Sequence, residues 1–327
     1  MQSADTTADG APAEQIPVGA PSGRGVGEET ARWVAELADP GRTGDQARRG
    51  LHDLLLRAAR AELHRRGGHH PFSGPELDDL AHQAADDALV SIITKLTEFR
   101  GESRFTTWAY KFAILEVSNK LGRHFWSRNP SVALDAQDWD RLPDRFGMRP
   151  DEYVQQRELI ATLRRAVEEE LTERQRQVFL ALVVNGIPLD ALVARWGSTR
   201  NAIYKIMFDA RRKLRATLAA NGYLPAAAPS PDASDNRAED TAGAQNRGEA
   251  TMTGWAKLER FLNTDPRDVG CEQALHLLHV YADLARDDAS RAEAARRYPG
   301  IAAHLLACGP CGEDYRGLVL AVRREWS

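Results

Sequence analysis

Apolar residues recur at intervals of three and four along most of this chain. Leu80, Ala84, Ala88, Leu89, Ile92, Ile93 and Leu96 form one stripe, and that spacing predicts an amphipathic helix. Its polar side carries Asp78, Asp79, Asp86 and Asp87. The run Phe99-Arg100-Gly101-Glu102-Ser103 breaks the helix, and Thr106 or Thr107 can cap the next one. In that next helix Ala109, Phe112, Ala113 and Val117 suffice for a core stripe, so Phe105, Trp108 and Tyr110 are aromatic surface beyond what one stripe needs. Further on, Thr172 and Gln175 have capping-box spacing ahead of the stripe Val178, Phe179, Leu182 and Val183. Asn185-Gly186 stops that helix. Pro188 suits the first turn of a short helix with Leu189, Leu192, Val193 and Trp196 on its core face. After the turn Gly197-Ser198, a longer helix runs from about Thr199 to Leu218 on the stripe Ile203, Ile206, Met207, Ala210 and Leu214.

Composition supports the same picture. Aromatic residues make up only 7% of the 327 residues, which disfavours large β-sandwich cores, and the abundance of Ala, Leu, Arg and Glu favours helix. The expected class is all-α. Residues 1–29 are rich in Ala, Gly, Ser, Thr and Pro and read as disordered. A first helical block covers 30–128 and a second 151–224. Between them 129–150, with Pro130, Pro143, Gly147 and Pro150, reads as a linker. Residues 225–253 read as a flexible linker: Pro225 to Thr251 holds no Val, Ile, Leu or Phe. Treated as a coil, those 27 residues span roughly 30 Å root-mean-square, enough for the last block to fold back on the first two. That last block, 254–327, holds all three cysteines. The start MQSADTTADG lacks a basic segment leading into an apolar run, and no stretch approaches the length of a membrane span, so a cytoplasmic protein without membrane contact is expected.

Charge adds a local signal. The whole chain is near neutral at −4, yet Leu171 to Ala220 holds nine Lys/Arg against three Asp/Glu. The long helix of that block presents Arg200, Asn201, Tyr204, Lys205, Phe208, Arg211 and Arg212 opposite its core stripe. Cations and amides near the start of a second helix suit major-groove reading, and local basicity suits phosphate. A plain helical hairpin with a solvated basic face is the competing reading. The stretch LTERQRQVFLALVVNGIPLDALVARWGSTRNAIYKIMFDARRKLRATL resembles region 4 of extracytoplasmic-function sigma factors. The resemblance implies a domain that reads the upstream promoter element, with Arg200, Asn201, Tyr204, Lys205, Arg211 and Arg212 at base or phosphate.

In the first block, Lys111, Lys120, Arg123 and Arg128 lie among or just after the surplus rings. Rings interleaved with cations suit single-stranded nucleic acid, since bases stack on the rings while cations hold phosphates. Filling of the bundle by those rings is the alternative. FRGESRFTTWAYKFA resembles region 2 of the same family. That implies capture and melting of the downstream promoter element by Phe105, Thr106, Thr107, Trp108, Tyr110, Lys111, Lys120 and Arg123. It also implies docking of the preceding acidic helix, through Asp86 and Asp87, on core RNA polymerase.

The last block reads Cys271, then His304, Cys308 and Cys311. His and Cys four apart share a helix face, Cys-x₂-Cys brings a second thiolate round Gly309-Pro310, and Cys271 supplies a fourth ligand. Three thiolates and one imidazole form a closed tetrahedral set typical of structural Zn²⁺; a Cys308–Cys311 redox pair is the competing reading. His276 and His279 suit core or surface roles. CEQALHLLHVYADL and AAHLLACGPCGEDYRGL resemble zinc-binding anti-sigma domains, which implies clamping of a sigma factor through apolar helix faces. Leu275, Leu278, Tyr281, Ala282 and Leu284 offer one such face, and Leu318, Val319, Leu320 and Val322 another. The expectation is a sigma factor whose partners are core RNA polymerase and promoter DNA, regulated by an intramolecular contact with its own zinc domain. The alternative is a helix-turn-helix regulator with a metal- or redox-sensing domain. No nucleophile–base pair or phosphate-cradling glycine loop stands at a spacing that would support an enzyme.

Overall fold

The computed structural model describes residues 24–66, 74–129, 139–149, 157–224 and 254–324. The 225–253 linker expectation falls outside these. The described residues are all-α, with no strand among them, and no helix among them is long and apolar enough to cross a membrane.

Four helices build the first body: α1 (Arg24–Ala38), α2 (Arg42–Arg66), α3 (Pro75–Thr94) and α4 (Phe105–Arg128). Leu51, Leu55 and Ala59 of α2, Ala84, Ala88 and Ile92 of α3, and Ala109, Ala113 and Val117 of α4 share one core. Of the predicted stripe, Leu80, Ala84, Ala88 and Ile92 are buried, Leu89 and Leu96 are half-buried, and Ile93 is exposed. Helix α4 begins at Phe105 with no side-chain cap, so neither threonine caps it. Of the segment expected to be disordered, residues 1–23 lie outside the described residues, and residues 24–29 are helical, forming the start of α1. The following residues of α1 are tied to α4. Trp33 stacks on Phe105 with ring centroids 5.7 Å apart, and Thr30 Oγ1 accepts from the Phe105 amide at 3.3 Å. Composition alone does not register such contacts.

The second body holds α5 (Leu142–Phe146), α6 (Arg157–Glu169), α7 (Glu173–Phe179), α8 (Leu189–Trp196) and α9 (Arg200–Ala220). Thr172 and Gln175 form the capping box. The chain leaves α7 through one wide turn, in which the Asn185 amide reaches back to Leu180 O at 2.8 Å, and Gly186 ends it at φ 61°. Gly197 takes the left-handed conformation between α8 and α9, and Thr199 Oγ1 caps α9 by accepting from the Ala202 amide at 3.1 Å. Residues 139–149 are not a bare linker. Trp139, Leu142 and Met148 are buried in the second core, and Arg145 donates to Val184 O at 2.9 Å and Asn185 O at 2.6 Å. Pro143 falls in the first turn of α5, where proline starts a helix rather than breaking it.

Helix α10 (Gly254–Leu262) also joins this body, through Leu258 and Leu262. The third body therefore begins after it, with α11 (Gly270–Leu284), α12 (Asp288–Arg297), α13 (Pro299–Ala307) and α14 (Gly309–Arg324). Its own core is Val280, Tyr281, Ala285, Ala294, Tyr298 and Ile301. Leu278, Ala282, Leu318, Val319 and Val322 instead belong to the core of the first body.

The first two bodies meet where α4 crosses α8. A Cβ on Gly122 would lie 2.7 Å from the carbonyl carbon and oxygen of Asp190, and Trp126 Nε1 donates to Ala191 O at 2.6 Å. The obstacle is backbone, which cannot swing aside. Gly122→Ala is therefore expected to cost about 1–3 kcal/mol through overpacking, read as a lower denaturant midpoint. An unchanged midpoint would show that the crossing yields freely.

Candidate metal centre and the faces around it

Cys271 is the second residue of α11, His304 lies in the last turn of α13, Cys308 occupies the break after it, and Cys311 opens α14. The break is held by the Cys308 amide donating to His304 O at 2.8 Å. All four side chains are buried, and their ligand atoms lie within 4.8 Å of one another. The thiols are free. Cys271 Sγ and Cys308 Sγ are 3.8 Å apart, and about 3.8 Å is the edge of a tetrahedron built on metal–sulfur bonds of about 2.3 Å.

His304 supports the same geometry. Its Nδ1–H donates to Asp268 Oδ1 at 2.8 Å, while the buried Nε2 has no hydrogen-bond partner. That is the tautomer a metal needs, with an outer carboxylate fixing the ring. The hydrogen bonds among the three thiols push Cys308 below the ordinary range and Cys271 and Cys311 above it, so without an ion the cluster favours one thiolate, at Cys308. The four residues fit a metal ion such as zinc.

The expected promoter-reading residues of α9 lie around this centre. Arg200 is half-buried, donating to Asp190 at 2.5 and 2.8 Å and pairing with Asp314 of α14. Asn201 Nδ2 donates to Glu272 at 3.1 Å. The Tyr204 hydroxyl donates to Asp268 Oδ2, and its ring stands edge-on to His304 at 4.6 Å. Arg211 lies over the rings of Tyr204, Phe208 and Phe261. Of the six residues, only Lys205 and Arg212 are exposed, and Arg212 sits 3.4 Å from Asp209.

The residues expected to melt DNA are covered as well. Phe105, Thr106, Thr107, Trp108, Tyr110, Lys111 and Lys120 are buried, and Arg123 is exposed. The surplus aromatic surface expected on α4 is therefore not open: Phe99 packs on Phe105 and Trp108 at 5.6 and 5.1 Å, and Trp33 covers Phe105. Helix α11 covers the adjoining polar residues. Arg104 and Thr107 both donate to Asp283 Oδ1, at 2.8 and 2.9 Å. Lys111 Nζ donates to His279 Nδ1 at 3.3 Å, and Lys120 pairs with Asp87 at 2.6 Å. Asp86 lies 3.0 Å from His52 Nε2. Asp86 and Asp87 nevertheless remain exposed, on the same stretch of α3 as Val90 and Ile93, both exposed.

Three carboxylates escaped sequence reasoning: Asp268, Asp283 and Asp314. The only available signal was position, because Asp268 precedes Cys271 by three residues and Asp314 follows Cys311 by three.

His279 makes the α11–α4 contact sensitive to acid. Burial, then the charge on Lys111, push its pKa from 6.5 to about 2. The folded ring therefore stays neutral in a range where the unfolded ring takes a proton. Stability contributed here is present above about 6.5 and is lost as the pH falls below it. His279→Gln keeps an acceptor for Lys111 and does not titrate. Its melting temperature is expected to fall less than wild type between pH 7 and pH 5; equal falls would remove His279 from the acid response.

Compared with family models, with curated proteins and with solved structures, the chain matches none of them, so its functional reading rests on these side chains.

Proposed function

We propose that this chain is a sigma-type transcription initiation factor, closed by its own C-terminal metal-binding body, with zinc held by Cys271, His304, Cys308 and Cys311. One observation carries the reading: the face of α9 suited to major-groove contact is packed against the metal-binding body through Arg200, Asn201 and Tyr204. Cations and an aromatic at the start of the second helix of a helix-turn-helix are placed for base and phosphate contact. Here their polar atoms are engaged by Asp314, Glu272 and Asp268. Helix α11 engages Thr107 and Lys111 on the helix suited to single strands in the same way. The α3 face bearing Asp86, Asp87, Val90 and Ile93 stays accessible for core RNA polymerase.

In this reading the closed chain can meet polymerase, and it reads promoter DNA after the C-terminal helices lift. Zinc would supply a structural crosslink among α11, α13 and α14, and oxidation of its thiolates would remove ligands and loosen the body. Capture of core RNA polymerase by the full chain and by a chain ending at Leu224 tests the proposal. Retention by the shorter chain, with promoter binding stronger than that of the full chain, is the expected result. Failure to retain polymerase, together with duplex binding in its absence, would instead favour a helix-turn-helix regulator with a metal- or redox-sensing domain.

A further inference from the structure

We propose that Tyr204 is a positioning residue of the metal centre, so that helix α9 of the second body completes the outer shell of the ion. The inference rests on the metal reading above and needs nothing of the sigma reading.

The geometry is a three-residue chain. Asp268 has a side chain only 1% exposed, and each of its oxygens has a defined use. Oδ1 accepts from His304 Nδ1 at 2.8 Å and from the Gly270 amide at 2.8 Å. Oδ2 accepts from the Tyr204 hydroxyl of α9. Nδ1–H held by the carboxylate leaves Nε2 as the ligand atom, so the orientation of Asp268 sets the orientation of His304. Without the phenol, Oδ2 would be a buried acceptor lacking that partner, and the carboxylate would be free to turn away from the imidazole. The ring of Tyr204 adds a wall, packed edge-on to His304 at 4.6 Å. The second body thus supplies part of a site whose ligands all come from the third.

Linkage gives this arrangement a consequence. If docking of Tyr204 tightens the ion by some factor, the ion tightens docking of α9 by the same factor. Metal loss and exposure of the α9 face then favour each other, even while all four ligands are intact.

The test is a competition between the full-length chain and a chromophoric chelator for zinc, with Tyr204→Phe, Asp268→Asn and the double variant. Tyr204→Phe keeps the ring against His304 and removes one oxygen. It is expected to weaken zinc about tenfold, the lower end for loss of an outer-shell partner. Asp268→Asn is expected to weaken it further, and the double variant no further than Asp268→Asn alone. Wild-type affinity in Tyr204→Phe would overturn the proposal. So would losses that multiply in the double variant, because they would mean that the Tyr204 hydroxyl acts by a route other than Asp268, such as its contact with Arg211. A wild-type chain that binds no zinc would defeat the metal reading itself, which is a separable result.

Discussion

Replacing Cys308 with Ser is expected to take zinc content from one ion per chain to nearly none and to melt most of the third body. The reason is the size of what remains. That body's own core is six residues, two of them alanines, and domains this small rarely hold together on apolar burial alone. A structural zinc is worth about 10–16 kcal/mol at neutral pH in small metal-dependent folds, where binding and folding are one event. Cys308 stands at the break between α13 and α14, so it ties two helices whose remaining link is a short turn. Serine keeps the volume and loses the thiolate. Metal analysis by mass spectrometry and far-ultraviolet circular dichroism read the two effects. His276→Ala is the control, because His276 is exposed and outside the cluster, and it should leave both unchanged. A Cys308→Ser chain that keeps zinc and helix would remove the four residues from consideration as a metal centre.

How much of this was legible depends on whether a feature is local. Thr172, Gly186 and Gly197 each act within a few residues of their own position, so the helix-turn-helix boundaries could be read from sequence. His304, Cys308 and Cys311 were legible for the same reason, and Cys271 came with them because three ligands at that spacing call for a fourth. Asp268 was not legible. Its carboxylate matters because α9 brings Tyr204 to one oxygen and α13 brings His304 to the other, and neither meeting has a sequence period. The rings of α4 show the converse failure. Phe105 and Trp108 are surplus to one stripe, but a surplus ring can be filled by a neighbour, here Phe99 and a Trp33 that composition placed beside a disordered tail. Arg200 and Arg211 of α9 were visible as charge. That Asp190 and Asp314 take the first, and that aromatic rings surround the second, was not.

Asp314→Asn is expected to open the contact of α14 with the first two bodies while leaving all four zinc ligands intact. Asp314 has no exposed side-chain surface, and three pieces of the chain converge on it. Arg66 of α2 donates at 2.7 Å and Ser118 of α4 at 2.6 Å to one oxygen, and Arg200 of α9 pairs with the other. Glu62, itself 2% exposed, shares Arg66 at 2.5 Å and also binds Arg65, which reaches Glu313 at 2.7 Å. The part of the network around Asp314 is buried, so salt does little to screen it. A buried ion pair is a poor source of net stability, yet removing one partner strands the other charge, at a cost of about 3–5 kcal/mol. Asparagine preserves shape and cancels the charge that faces two guanidinium groups, so the expected cost falls on the docked state. That corresponds to a shift of roughly 10²–10⁴-fold toward the open form. Faster hydrogen exchange in α14 and at the start of α9, with one zinc still bound at saturating metal but held more weakly, is the predicted signature. On the sigma reading, promoter binding by the full-length variant should rise toward that of the chain ending at Leu224. Unchanged exchange would mean that Leu318, Val319 and Val322 hold α14 in place without the charge at its base, and that closure is set by apolar burial rather than by this carboxylate.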